Sequence, residues 1–194
     1  MNAILETKSE DLLAALLKLL GEKNLVTQRE LEDRMASTDN ASPGQGARMV
    51  ARAWVDEDFR TLMLLNGTRA AEIMDIPMRG MPPLGVVENT GEVHNLVVCT
   101  LCSCYPRAVL GYPPFWYKSA AYRARAVRDP RGLLKEFHTV LPDDTIVNVV
   151  DSTAEYRWMV LPKRPAGTEG WTEEQLAAIV KVGDMVGVTV PSSQ

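Results

Sequence analysis

Cysteine and histidine are scarce in this sequence of 194 residues, which contains three cysteines and two histidines. The cysteines, Cys99, Cys102 and Cys104, all lie within six consecutive positions. Neighbours this close cannot form the disulfide framework of a small secreted domain, and a chain of this length buries enough surface to fold without cross-links. A cross-linked secreted scaffold is therefore excluded, and the thiols must have another role.

Excess positive charge and long apolar runs are also lacking. The net charge of −4 leaves no basic surface excess that would attract nucleic acid or anionic lipid. No apolar run reaches the roughly 18 residues of a membrane span, and the acidic residues in the opening "MNAILETKSEDLLAALL" do not fit a secretory signal peptide. We therefore expect a cytoplasmic protein with no nucleic-acid partner and no membrane partner.

Helical patterns fill the first 80 residues. The run "DLLAALLKLL" is apolar over more than one helical face, so we expect it to pack on a partner or on a second helix. That second helix begins at "TQRE", where Thr27 and Glu30 can form a capping box. The stretch "IPMRGMPPLG" then excludes regular structure. We predict a helical arm and cap at residues 1–80 and a second, α/β domain at residues 81–194.

Strand and helix patterns are mixed in residues 81–194. Short strands are predicted at "GVVENT", "HNLVVCTL", "TIVNVVD" and "YRWMVLP". Helices are predicted at "SAAYRARAV", "PRGLLKEF" and "TEEQLAAIV", and we expect the "PPFWYK" corner to be packing rather than a pocket wall. The predicted fold class is α+β, with an N-terminal helical arm followed by a mixed α/β layered domain.

The cysteine cluster has two familiar interpretations. A C-x-x-C spacing is typical of structural zinc sites, but such sites need four protein ligands and the chain has no second cysteine pair. A redox-active C-x-x-C is the other interpretation, although a third thiol two residues further on would compete for the mixed disulfide. A structural zinc module and a thiol-redox protein both remain open on spacing alone.

A third interpretation uses the backbone between the cysteines. A tight turn over Cys102, Ser103 and Cys104 can present two sulfurs and the amide nitrogens of Ser103 and Cys104 in one plane, and Cys99 can add an axial sulfur. Five such donors leave one octahedral position open and suit a low-spin trivalent cobalt or iron ion. Chelated thiolates are also candidates for oxidation to sulfenate or sulfinate.

The segment "VVENTGEVHNLVVCTLCSCYP" resembles the metal-binding claw of the nitrile hydratase α subunit. Further segments, "GYPPFWYKSAAYRARAVRDPRGLL" and "DSTAEYRWMVLPKRPAGTEGWTEEQLAAIV", resemble that family in the same order, so the similarity covers about residues 50–188. Thr100 and Tyr105 resemble the cobalt type. The resemblance implies the fold of that α subunit and hydration of a small-molecule nitrile to an amide at a non-corrin Co(III) site, with Fe(III) as the alternative.

The resemblance also implies a role for each residue of the claw. Cys99 would be the axial thiolate, Cys102 the sulfinate and Cys104 the sulfenate, and Ser103 and Cys104 would give the amide nitrogens. The catalytic residues would be Cys104, Cys102 and Ser103. Either the Cys104 sulfenate oxygen or a metal-activated water would attack the nitrile carbon, and both alternatives remain open.

Residues and proteins around the claw follow from the same resemblance. Glu155 and Arg157, in "AEYR", match a pair that orients the claw from behind its ligands. A β-type subunit would supply arginines to the oxidised sulfurs and form much of the substrate pocket, so the implied assembly is a hetero-oligomer. A metal-loading activator protein would deliver the cobalt.

Two residues depart from the usual family pattern. Arg107 stands where a tryptophan is usual, and Tyr112 replaces a frequent leucine, which suggests a different substrate at the entrance. Thiocyanate hydrolase, whose γ subunit has the same claw, is one alternative, since an arginine attracts a small anion. A large polar nitrile such as toyocamycin is another. His94 precedes the claw strand, and we expect it to be structural or at a subunit contact.

Overall fold

The computed structural model describes residues 2–193, without the side chains of residues 2–8, 10 and 37–39. Contacts within the chain group it into two compact units that divide between Asn40 and Ala41. The predicted division between residues 80 and 81 was drawn from composition, and it stays a prediction. Along residues 2–193, no helix is both long enough and apolar enough to cross a bilayer.

The first unit contains two helices, α1 (Asn2–Glu22) and α2 (Gln28–Asp39). The predicted capping box is confirmed, because the Glu30 amide donates to Thr27 Oγ1 at 3.2 Å and the Thr27 amide donates to Glu30 Oε2 at 2.9 Å. The apolar residues of this unit are nevertheless largely exposed: Leu12, Leu13, Leu16, Leu19, Leu25 and Met35. An exposed apolar surface of this kind is typical of a segment that binds a partner.

The second unit begins with three helices, α3 (Pro43–Val55), α4 (Glu57–Leu65) and α5 (Gly67–Ile73). The Asp56 side chain caps α4 by accepting from the Phe59 amide, and the Asn66 side chain caps α5 by accepting from the Arg69 amide. Side-chain caps replace the hydrogen bonds that the first turn of a helix lacks. They allow three short helices to follow one another with almost no intervening loop.

All four predicted strands are present, as two parallel pairs. Strand β1 (Leu84–Glu88) pairs with β4 (Arg157–Leu161), and β2 (Val93–Val98) pairs with β3 (Ile146–Asp151). In the second pair Val98 lies opposite Asp151. Because parallel strands end at the same edge, the loop that follows β2 emerges beside the end of β3.

The remaining helices are short and complete the mixed α/β architecture, so the predicted fold class is confirmed. They are α6 (Arg107–Leu110), α7 (Phe115–Lys118), α8 (Ala120–Arg128), α9 (Pro130–Glu136), α10 (Glu173–Ile179) and α11 (Val182–Val186). Helices α6 to α9 all lie in the connection between β2 and β3. The core contains residues of both strand pairs and of these helices.

His94 is part of a buried polar network, which confirms its expected structural role. Its Nε2 atom donates to the Gly187 carbonyl at 2.8 Å, and its Nδ1 atom accepts from the Asn89 amide group at 3.2 Å. Asn89 Oδ1 in turn accepts from the Asn95 backbone amide at 2.7 Å. Burial lowers the pKa of His94 below its ordinary value of 6.5. The ring is therefore neutral in the folded chain.

Acidification should destabilise the protein through His94. Below about pH 6.5 the unfolded chain binds a proton at this histidine before the folded chain does, so the free energy of unfolding should fall, by at most about 1.4 kcal/mol per pH unit. Urea unfolding at pH 8 and pH 5.5 measures the loss. His94→Gln removes the titrating group, and its stability should depend less on pH than that of the wild type. Equal pH slopes for the two proteins would contradict the assignment.

Candidate metal centre

The three cysteines come together in the loop of residues 99–104, called the cysteine loop below, which follows β2 directly. The sulfur of Cys102 lies 3.4 Å from that of Cys99 and 3.2 Å from that of Cys104. All three sulfur atoms lie within 4.8 Å of one another, and no other described residues form a potential metal-binding cluster of three or more. Cys99 and Cys104 are buried, whereas Cys102 is exposed.

The sulfur spacing distinguishes between metal geometries. Zinc–sulfur bonds are about 2.3 Å long, and with bonds of this length two sulfurs lie about 3.3 Å apart at neighbouring octahedral corners and about 3.8 Å apart at tetrahedral corners. The distances of 3.2 and 3.4 Å from the Cys102 sulfur to the other two sulfurs fit octahedral corners. Structural zinc would also need a fourth ligand, and among the described residues no histidine or carboxylate joins the cluster. The donor set therefore favours a six-coordinate ion.

The pKa values of the two thiols that flank Ser103, those of Cys102 and Cys104, are shifted in opposite directions. Hydrogen bonds from Cys104, from Cys99 and from the amides of Ser103 and Cys104 lower the pKa of Cys102 to about 7. Burial, followed by the interaction with Cys102, raises the pKa of Cys104 to about 12, although the charge of Arg157 acts in the opposite direction. At neutral pH the exposed sulfur of Cys102 therefore becomes a thiolate first.

The first half of the cysteine loop is fixed through Thr100. Its amide donates to Asp151 Oδ1 at 3.0 Å, and its hydroxyl donates to Asp151 Oδ2 at 2.5 Å. Arg123 Nη1 donates to the Thr100 carbonyl at 3.3 Å. Asp151 reaches this position because it lies opposite Val98 at the end of β3. Sequence reasoning missed Asp151 and Arg123, and the position of Asp151 at the end of a predicted strand was the available signal.

The second half of the cysteine loop contacts the "PPFWYK" corner. The Tyr117 ring is fully buried, as expected for a packing residue. Its hydroxyl also donates to the Cys104 carbonyl at 2.8 Å. In addition, the Cys102 amide donates to the Cys99 sulfur at 3.3 Å inside the loop. The backbone conformation of the loop is thus fixed from within and from outside.

The predicted residues behind the claw differ in position. Arg157, at the start of β4, is half-buried. Its charge opposes the rise in the pKa of Cys104 that burial causes. Its Nη1 atom is buried without a hydrogen-bond partner in the described chain. Glu155 is exposed in the turn before β4, where its amide donates to Thr153 Oγ1 at 3.3 Å. The supporting role of Glu155 stays a prediction.

Arg107 and Tyr112, the two residues predicted at the substrate entrance, contact each other, and their role at an entrance stays a prediction. The guanidinium carbon of Arg107 lies 4.4 Å from the centroid of the Tyr112 ring, which is a cation–π contact. Both side chains are exposed. Two further apolar side chains in this part of the chain are almost fully exposed, Leu101 at 87% and Phe115 at 86%.

The resemblance inferred from the claw is confirmed by comparison with known proteins. A family model described as "Nitrile hydratase, alpha chain" matches residues 7–189. The low-molecular weight cobalt-containing nitrile hydratase subunit alpha of Rhodococcus rhodochrous is 49% identical over 176 residues, which cover 90% of this chain and 85% of that protein. The thiocyanate hydrolase subunit gamma of Thiobacillus thioparus is 42% identical over 160 residues, covering 77% and 66%.

A solved structure agrees with these matches. A double mutant of the Fe-type nitrile hydratase from Comamonas testosteroni Ni1 superimposes with a TM-score of 0.81 and 38% sequence identity, and the match covers 100% of this chain and 93% of that one. The family model matches residues 7–189, a range that includes the cysteine loop, and the Rhodococcus rhodochrous relative is similar over 90% of this chain. This chain therefore belongs to the nitrile hydratase α-chain family.

Proposed function

We propose that this chain is the catalytic α subunit of a cobalt nitrile hydratase, which converts R–C≡N and one water into R–CO–NH₂. The observation that carries the proposal is the cluster of three cysteine sulfurs, in which the Cys102 sulfur lies 3.4 Å from that of Cys99 and 3.2 Å from that of Cys104. The printed name of the Rhodococcus rhodochrous relative, which is cobalt-containing, supports cobalt. Iron is the alternative, because the Comamonas testosteroni Ni1 enzyme is of the Fe type.

The residues present fit a trivalent ion with five protein donors. The sulfurs of Cys99, Cys102 and Cys104 would hold it, together with the amide nitrogens of Ser103 and Cys104. Both amides also help to lower the pKa of Cys102, which supports this assignment, because groups that stabilise the Cys102 thiolate lie close to its sulfur. The chemistry that such an ion supplies is Lewis-acid polarisation of the nitrile.

The different accessibility of the cysteines supports their proposed oxidation states. Cys102 is exposed and would carry two oxygens as the sulfinate, whereas Cys104 is only 9% exposed and would carry one oxygen as the sulfenate. Arg157 would balance the negative charge, since its buried Nη1 atom still has a hydrogen to donate. Glu155 would complete this support in the assembled enzyme.

The Cys104 sulfenate oxygen would start the reaction. It would either attack the nitrile carbon itself or take a proton from a water that attacks the carbon. In both versions one carbon–oxygen bond forms, one water is consumed, and its two protons end on the amide nitrogen. In a direct attack the sulfur–oxygen bond of Cys104 breaks as the amide leaves, and the one water that is consumed restores the sulfenate oxygen.

An α subunit of this family implies a β subunit as partner. The side chains of Leu101, Tyr112 and Phe115 support a docking surface here, because they are 87%, 67% and 86% exposed in the isolated chain. Covering them would also exclude water from the entrance of the site. A separate activator protein would load the cobalt before or during assembly.

Native mass spectrometry of the complex from cobalt-supplemented cells tests the proposal. We expect one cobalt per α chain, three added oxygen atoms on the two cysteines that flank Ser103, and a bound second subunit. Zinc with unmodified cysteines and no nitrile hydration would instead support the structural zinc module. A metal-free chain with a reversible disulfide would support the thiol-redox protein.

The contact between Arg107 and Tyr112 favours a second candidate, a thiocyanate hydrolase γ-type subunit. A guanidinium at the entrance attracts a small anion such as thiocyanate and gives nothing comparable to a neutral nitrile. The thiocyanate hydrolase relative supports this candidate. The comparisons give no support for a nucleoside nitrile such as toyocamycin.

Replacing Arg107 distinguishes the two candidates. If thiocyanate is the substrate, Arg107→Gln should raise its KM by about tenfold or more, because one charge contact at a partly desolvated entrance is lost. Ammonia release from thiocyanate and amide formation from a neutral nitrile measure the two activities. Arg128→Gln, which removes the same charge from an exposed position, is the matched control. Unchanged thiocyanate kinetics in Arg107→Gln would rule out this role for Arg107.

A further inference from the structure

Two buried tyrosines donate hydrogen bonds to the backbone on either side of the three cysteines. The Tyr122 hydroxyl donates to the Val97 carbonyl at 2.6 Å, and the Tyr117 hydroxyl donates to the Cys104 carbonyl at 2.8 Å. Tyr117 is 0% exposed and Tyr122 is 3% exposed. The chain between the two carbonyls contains all three cysteines, so both ends of the sulfur-bearing segment are fixed by phenols.

The Val97 carbonyl lies on the side of β2 that faces away from β3. The neighbouring Val98 carbonyl accepts from the Ser152 amide at 2.7 Å, which places it on the β3 side. Successive carbonyls along a strand point in opposite directions, so the Val97 carbonyl points to the other edge. Tyr122 satisfies this buried acceptor, which would otherwise cost the free energy of an unpaired carbonyl.

The Cys104 carbonyl lies where the chain leaves the cysteine loop. Tyr105 follows it, and a tight turn, in which the Arg107 amide donates to the Tyr105 carbonyl at 2.9 Å, leads into α6. At this point the segment has already left β2 and has not yet entered a helix. The Tyr117 hydroxyl is therefore the contact that fixes the direction of the Cys104 peptide unit.

The two phenols are fixed relative to each other by aromatic packing. Their ring centroids lie 5.5 Å apart, and Tyr105 packs on Tyr117 at 4.9 Å while Trp116 packs on Tyr122 at 5.0 Å. Phe137 extends the same group of rings from Trp116 at 5.0 Å. Buried rings in edge contact have few alternative rotamers. The distance between the two carbonyls that the phenols bind is thereby held constant.

We propose that Tyr117 and Tyr122 are positioning residues that set the spacing of the three sulfur atoms before a metal binds, an inference that rests on the proposed role of the cysteines as ligands. Sulfur atoms already at their bound distances lose less conformational freedom when an ion joins them. The two hydroxyls donate to backbone carbonyls of the segment that carries the cysteines, so they act through the loop and not on the substrate. Their contribution should appear in metal affinity.

Binding of Cd²⁺ to the reduced, metal-free full-length chain under anaerobic conditions tests the inference. Cadmium is a soft ion that prefers thiolates, and its thiolate charge-transfer absorption in the ultraviolet reports binding without any redox step. Tyr117→Phe and Tyr122→Phe each remove one oxygen and leave the ring. We expect each to raise the Kd for Cd²⁺ roughly five- to tenfold, the effect of one lost hydrogen bond on the bound geometry.

Thr139→Val is the matched control, because the buried Thr139 hydroxyl also donates to a backbone carbonyl, that of Val188, at 2.8 Å. All three variants should lose similar stability in urea, but only the two tyrosine variants should bind Cd²⁺ more weakly. Wild-type affinity in both tyrosine variants would overturn the inference, and so would equal weakening in Thr139→Val. If the tyrosine variants bind Cd²⁺ more weakly but the cobalt-loaded complex hydrates no nitrile, the proposed function fails and the tyrosine result still stands.

Discussion

Cys104→Ser should abolish nitrile hydration, with a loss of roughly a thousandfold or more, because in the proposed reaction this one residue supplies both a ligand sulfur and the reacting oxygen. A serine hydroxyl cannot be oxidised to a sulfenate, and it is a harder donor than a thiolate. Chromatographic measurement of amide formation gives the loss directly. The cobalt content of the same preparation shows whether metal binding was lost together with activity.

This variant also tests whether the Cys104 oxygen takes part in the reaction at all. If Cys104→Ser keeps its cobalt and more than about a tenth of the activity, the sulfenate oxygen is neither the attacking atom nor the base, and attack by a water activated by another group remains. If cobalt is retained and activity is lost, the oxygen on Cys104 is required. The urea midpoint of the variant should stay near that of the wild type, since Cys104 lies in the cysteine loop and its side chain is not part of the main hydrophobic cluster.

Gly187→Ala should cause a loss of stability of about 3 to 5 kcal/mol, large for a single methyl group. Gly187 has φ of +88°, a conformation that residues with a side chain rarely adopt. A Cβ atom there would also overlap the carbonyl oxygen of Asn95 and lie 3.0 Å from its carbonyl carbon. Backbone atoms of a buried strand cannot move away as a flexible side chain would. The free energy of unfolding in urea gives the loss.

Gly167→Ala separates the two causes of that loss. Gly167 has φ of +79° but has open space around it, with nothing within 4 Å of a Cβ atom. Its substitution should cost only the strain of the backbone conformation, about 1 to 2 kcal/mol. Equal losses for both glycines would mean that the close approach to Asn95 contributes nothing. A larger loss at Gly187 would show that the close approach to Asn95 matters. The backbone movement that relieves the overlap would also displace the Gly187 carbonyl, to which His94 donates.

The parts of this structure that depend on neighbouring residues could be predicted from the sequence. The capping box at Thr27, the cap at Asp56 and the four strands follow from local spacing and apolar patterns. The cysteine cluster is equally local, because its three sulfurs lie within six positions. Each of these features depends on interactions between residues that are close together in the sequence, so each could be predicted without knowledge of the tertiary fold.

The supports of the cysteine loop depend on contacts that no local pattern contains. Asp151 is 51 residues from Thr100, and Arg123 is 23 residues from it. The Tyr117 hydroxyl reaches Cys104 only because several rings pack in one arrangement. Ring packing was predictable for this corner, but the direction of one hydroxyl depends on the tertiary fold. Arg157 and Glu155 were inferred only from the family resemblance.

The connection from β2 to β3, residues 99–145, contains both the cysteine loop and the tyrosines that fix it. The proposed cysteine ligands and the two tyrosines that fix their loop are thus encoded in one continuous stretch of the gene, so they are inherited together. Recombination between related genes at the two strand ends would transfer the loop with its phenols, whereas Asp151, at the far end of β3, and Arg157, on β4, would come from the recipient. Exposed positions of the same stretch, such as Arg107, remain free to change, so substrate preference can diverge while the metal loop is preserved.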